Sequence, residues 1–99
     1  MKIAVLGAAG KMAPGVIRDL AEAPEVTEIV LADLASTREV LEQRASDWGN
    51  NKAAVVFADI ADPESLRAAI RGSSALANCT IYYFNLQVME ACLAEGVHY

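Results

Sequence analysis

KIAVLGAAGKMAPG, residues Lys2 to Gly15, is the stretch on which the fold turns. Its first part, Lys2–Leu6, is a short unbroken apolar run stopped by Gly7, the pattern of a strand buried on both faces. Behind the glycines the period changes. Met12, Val16, Ile17 and Leu20 recur about one helical turn apart, and the pattern closes near Pro24. A strand that passes through glycines into a helix presents free amides at the positive end of that helix, a setting that suits an anion.

The same alternation continues outward. Val26–Ala32 is β-branched and ends at Asp33; Thr37–Trp48 is helical, with Val40, Leu41, Arg44, Ala45 and Trp48 on one face and Gly49-Asn50-Asn51 as its stop. Ala53–Ala58 reads as a third strand ending at Asp59. Asp62 can cap a helix, Pro63 sits where its missing N–H costs nothing, and Glu64 favours the positive end. That helix runs to about Arg71 and stops at Gly72. Ala75–Thr80 is a fourth strand and Asn85–Glu95 a fourth helix, with Asn85 as its expected cap and Gly96 as its end. Val97-His98-Tyr99 opens a fifth strand.

This order predicts an α/β fold of the Rossmann type, a doubly wound parallel sheet with strand order 3-2-1-4 and a fifth strand only begun. With strand 4 left uncovered by that fifth strand, residues 1–99 read as one dinucleotide-binding domain, a fragment of a longer protein. Ligands bind such sheets at the switch point, here between strands 1 and 4, which brings Gly7–Ala13 and Cys79–Phe84 to one mouth.

The chemistry follows from residue types at those strand ends. Pyrophosphate needs a tight turn, close backbone approach and free amides, and Gly7 and Gly10 supply the first two. Read as GxGxxG the motif carries Ala9 and Met12 in place of glycines; read as GxxGxxA, with Gly7, Gly10 and Ala13, it is intact. Lys11 can add a positive charge beside it, although a solvated surface lysine is at least an equal reading. Asp33 ends strand 2 where a carboxylate can accept both adenosine-ribose hydroxyls, which favours NAD over NADP; Arg38 lies close enough in sequence to take a 2′-phosphate instead. Asp59 falls at the adenine edge, where a plain turn carboxylate is an equal reading. Thr80 and Tyr82 follow strand 4 on the nicotinamide side.

Composition excludes other classes. Eight basic against thirteen acidic residues leave a net charge of −5, and the basic residues are scattered, so neither nucleic acid nor an anionic membrane is an expected partner. No apolar run approaches the roughly 18 residues of a membrane span, and no signal segment opens the chain. Cys79 and Cys92 match neither a metal motif nor a disulfide framework, so reduced, buried thiols in a cytoplasmic protein are expected, with no metal. His98, the single histidine, has no evident acidic partner, and no catalytic residue is assigned.

VLGAAGKMAPGVIRDL, EIVLADL and the final third, from FADIADPESLRAAIRGSSALANCTIYYFN to AEGVHY, resemble the amino-terminal cofactor domain of the saccharopine dehydrogenase family, lysine 6-dehydrogenase-like members included. The resemblance covers essentially the whole chain. It implies a second, substrate and dimerisation domain, a homodimer, and oxidation or reduction of a C–N bond of an amino acid or amino-acid adduct. The implied reaction is hydride transfer with NAD or NADP, passing through an imine. It also implies phosphate-loop roles for Gly7 and Gly10, and contact with the adenosine ribose for Asp33. Asp59 falls on the adenine side and Thr80 to Phe84 on the nicotinamide side, whereas Ala9 and Met12 depart from the family's glycines. Two other readings stand beside it: an extended or atypical short-chain dehydrogenase or epimerase, which shares the GxxGxxA spacing, and a non-enzymatic nucleotide-sensing module.

Overall fold

The computed structural model describes residues 1–80 and 84–99. Four strands, β1 (Lys2–Leu6), β2 (Glu28–Asp33), β3 (Ala53–Phe57) and β4 (Ala75–Asn78), alternate with four helices: α1 (Ala13–Glu22), α2 (Arg38–Trp48), α3 (Pro63–Ile70) and α4 (Asn85–Glu95). A 3₁₀ turn, Ala35–Thr37, leads into α2. The sheet is parallel throughout and ordered β3-β2-β1-β4, as the strict alternation of elements predicts. Leu6 pairs with Ala32 on one side and Asn78 on the other, and Asp33 pairs with Phe57, so the strand ends are level where they approach the mouth.

Side chains of successive strand residues point to opposite faces, and the core divides accordingly. Ala4, Leu6, Val30 and Ala32 pack against α3 and α4 through Leu66, Ile70 and Val88. Ile3, Val5, Ile29 and Leu31 pack against α1 and α2 through Ala13, Ile17, Ala21 and Leu41. Helices therefore cover both faces, and the central strands β1 and β2 are apolar nearly throughout because neither face meets water. β3 is one edge strand of the sheet, and Ala54 and Phe57 are exposed on it.

Several local expectations shift. Met12 is not part of the buried stripe of α1; it is exposed at the helix start, and the stripe is Ala13, Ile17 and Ala21 with Val16 and Leu20 partly covered. Val40 is likewise on the outer side of α2. Asn85 is the first residue of α4, not its cap: Phe84 occupies the cap position and the Asn85 carboxamide bonds elsewhere. Asp62 does cap α3, accepting from the Glu64 amide at 3.1 Å. The expected fifth strand begins at His98, bridged in parallel to Ala75 beside β4: the His98 amide donates to Ser74 at 3.1 Å and its carbonyl accepts from Leu76 at 2.8 Å. No helix among the described residues is long and apolar enough to cross a membrane.

Candidate functional site

At the carboxyl ends of β1 and β4 the chain leaves the sheet toward opposite faces, to α1 on one and α4 on the other. A cleft of about 300 Å³ lies there, lined by Gly7, Gly10, Asp33, Leu34, Cys79 and Thr80, with Ala58, Ile60 and Phe84 completing it. It joins the glycine loop, the end of β2 and the segment after β4, three of the places where the sequence put binding residues; Asp59 and Arg38 are not in its lining.

Gly7 makes that junction sterically feasible. Its φ is +71°, and a Cβ there would lie 2.9 Å from both the carbonyl carbon and oxygen of Cys79. The glycine loop and the end of β4 thus touch backbone to backbone. Gly10 closes the turn, its amide donating to the Gly7 carbonyl at 2.9 Å, while the amides of Gly7 and Ala8 both donate to Ala32, at 3.0 and 3.2 Å. No side chain caps α1, so the first-turn amides keep their donors for a ligand, Pro14 having none to lose.

Asp33 stands half-buried beside this loop. One carboxylate oxygen accepts from the Ala9 amide at 3.0 Å and the other from the Leu34 amide at 2.8 Å. Each oxygen retains a further acceptor position. Arg38 is at the same corner, its guanidinium carbon 5.0 Å from the centroid of the Phe57 ring, and Phe57 is the β3 partner of Asp33. Lys11 and Met12 are exposed at the rim. Asp59 serves its own turn: its side chain accepts from the Ala61 amide at 3.0 Å, while its neighbours Ala58 and Ile60 line the cleft. Thr80 lines the opposite wall; Tyr82 lies outside the described residues. Cys79 is also on the wall, and burial raises its thiol pKa, which disfavours the reactive thiolate.

Two residues escaped sequence reasoning. Asn78, at the end of β4, gathers the segment after it: its carbonyl oxygen accepts from the Thr80 amide at 3.0 Å and from the Thr80 hydroxyl, while its amide nitrogen donates to Asn85 and Tyr99, both at 3.0 Å. Arg44 was legible only as a member of the inner face of α2. Its Nη1 reaches the carbonyls of Ala8 and Gly10, at 2.6 and 2.7 Å. The available signal was a charged group on a face otherwise made of Leu41, Ala45 and Trp48, because a guanidinium so placed needs acceptors.

Residues 3–99 match the family model described as the saccharopine dehydrogenase NADP binding domain. Among solved structures, an NADPH-dependent quinone oxidoreductase from Escherichia coli is similar at 26% identity and a TM-score of 0.73, over 96% of this chain and 32% of that one. A saccharopine dehydrogenase (L-Glu forming) from Saccharomyces cerevisiae matches at 17% identity and a TM-score of 0.75, over 97% of this chain and 20% of its own. A short-chain dehydrogenase/reductase from Veillonella parvula gives 16% identity and a TM-score of 0.77, over 97% and 43%. The chain thus spans less than half the length of each of these structures.

Proposed function

The chain belongs to the saccharopine dehydrogenase NADP-binding domain family, and from that premise we propose that it holds the nicotinamide dinucleotide of an oxidoreductase acting on a C–N bond of an amino acid or amino-acid adduct. The observation that supports this reading is the bond between the Ala9 amide and the Asp33 carboxylate, which ties the glycine loop to the acidic end of β2 beside the cleft that Gly7, Gly10 and Asp33 line. The residues present fit the group: a glycine turn packed too closely for side chains, an uncapped helix start and an acidic strand end.

Gly7, Ala9 and Gly10 would form the turn that lets the pyrophosphate approach the backbone, the first-turn amides of α1 would donate to it, and Lys11 and Met12 would flank it. Asp33 would hold the adenosine ribose, Asp59 would sit toward the adenine, and Thr80 and Tyr82 toward the nicotinamide. The dinucleotide, when bound, supplies a hydride donor or acceptor. The chain's own part is to bind, orient and exclude water. Asp33 favours NAD by repelling a 2′-phosphate, and Arg38 is the group that would take that phosphate in NADP.

Titration with NADH and NADPH, followed by nicotinamide fluorescence, tests this. Saturable binding with NADH tighter is expected, and Asp33→Ala should erase the preference. NADPH tighter than NADH would reverse the cofactor assignment and move recognition to Arg38. A folded chain that binds neither would overturn the proposal. A second reading, hydride transfer to a carbonyl or quinone, is favoured by the 26% identity to the quinone oxidoreductase. Turnover of quinones but not amino acids by the longer protein would select it.

A further inference from the structure

We infer that Arg44 is a positioning residue for the dinucleotide loop: from α2 its guanidinium holds the turn in its phosphate-accepting shape before any ligand arrives. This rests on the dinucleotide reading above. One nitrogen, Nη1, donates to two carbonyls two residues apart, Ala8 and Gly10, and so bridges the turn from behind. The amides of the same residues are occupied as well. Ala8 donates to Ala32, Ala9 to the Asp33 carboxylate and Gly10 to Gly7. With those amides and the two carbonyls engaged, the path of the backbone from Ala8 to Gly10 is fixed between β2 on one side and α2 on the other.

Arg44 is itself located. Its guanidinium carbon lies 5.7 Å from the ring centroid of Trp48, one turn later on α2, and Arg18 of α1 covers the same ring at 4.4 Å. The side chain therefore reaches the loop along a packed ring. Both bonds are short and charge-assisted, the stronger kind of hydrogen bond. A loop ordered only on binding would lose affinity to the entropy of ordering, and a loop ordered in advance does not. Arg44 does not itself line the cleft and meets the lining through the Gly10 carbonyl, so its effect on a ligand passes through the loop.

The test compares the unaltered chain with Arg44→Ala and Arg44→Lys by two readouts: NADH and NADPH affinity, and hydrogen exchange of the Ala9 and Gly10 amides without ligand. Arg44→Ala is expected to weaken both dinucleotides by a similar factor, roughly tenfold or more. Exchange at Ala9 and Gly10 should accelerate while the amides of β1 and β2 hold, and methylguanidinium added to Arg44→Ala should restore part of the affinity. Should Arg44→Ala fail to fold, Arg44→Lys carries the test. It keeps the charge and most of the stem but lacks the planar fork, so severalfold weaker binding with fast loop exchange is expected. Full affinity in Arg44→Lys would make charge alone sufficient and overturn the positioning role. Unchanged affinity and loop exchange in a folded Arg44→Ala would also overturn it. An unaltered chain that binds neither dinucleotide overturns both readings, whereas tight binding that is indifferent to Arg44 overturns only this one.

Discussion

A methyl group at position 7 has nowhere to go. The backbone of Cys79 stands 2.9 Å from where it would sit, and φ is +71°. Gly7→Ala therefore combines left-handed strain with a backbone clash, and should lower unfolding stability by roughly 2–4 kcal/mol in urea titrations. Gly15 gives the opposite result. Nothing lies within 4 Å of a Cβ there, and the residue sits inside α1, so Gly15→Ala should raise stability by about 0.5–1 kcal/mol in the same titrations. The two glycines lie in one short stretch of sequence, yet of the two only the first is demanded by the fold. Gly7, Gly10 and Asp33 were readable from sequence because a glycine or a carboxylate at a strand end carries its meaning locally. Arg44 was not, since its acceptors lie on the far side of β2 in sequence and nothing near α2 names them.

Helices α3 and α4 are joined by one carboxylate. Glu95 Oε2 accepts from Arg67 Nε at 3.0 Å and Oε1 from Arg71 Nε at 2.8 Å. The hydrogen bond from Arg71, then that from Arg67, holds the Glu95 carboxyl below the usual range. A folded-state pKa below the unfolded one means that the stabilisation is complete above the unfolded value, about pH 4.3. It is lost as pH falls through the lower, folded value. Thermal unfolding followed downward from pH 5 should therefore show a fall in Tm that Glu95→Gln reduces. At the other end of α3, Asp62→Ala removes a cap and should cost about 1 kcal/mol in chemical denaturation. Helix ends of this kind were legible, as Pro63 and Gly96 show, because the punctuating residue is also the physical cause. Strand ends were less so. Thr80 was read as strand but β4 stops at Asn78, whose side chain turns the chain by taking the Thr80 amide. Strand length is set by the partner across the sheet, which a single segment does not display. The placement of Asn85 failed for a related reason: its carboxamide is engaged by Asn78 and leaves the cap position to Phe84.

The molecule is one sheet with a core on each side, and Leu6 and Leu31, both fully buried, mark the two. Leu6→Ala and Leu31→Ala should each cost about 2–5 kcal/mol. That is a large share of a domain whose total is roughly 5–15 kcal/mol. Trp48, the single tryptophan, packs only on the Leu31 side, so its fluorescence set against far-UV circular dichroism tests the unity of the fold. Coincident transitions are expected for both variants, because β1 and β2 contribute to both cores; separate transitions for Leu6→Ala would show that one face melts alone. The topology was the most legible feature of all, since alternation of elements and the handedness of crossovers leave few sheets to choose from. The strand order also sets a timetable. Ile3 is made well before its partner Ala75, which follows only after β1–β3 and α1–α3 are complete, so β1 waits at the ribosome with one side open. β2 can join it early, but the pairing that creates the mouth comes later than either β1–β2 or β2–β3 pairing. The cleft is thus a product of late, long-range closure, a slow step by topology and the interval in which a chaperone has most to hold.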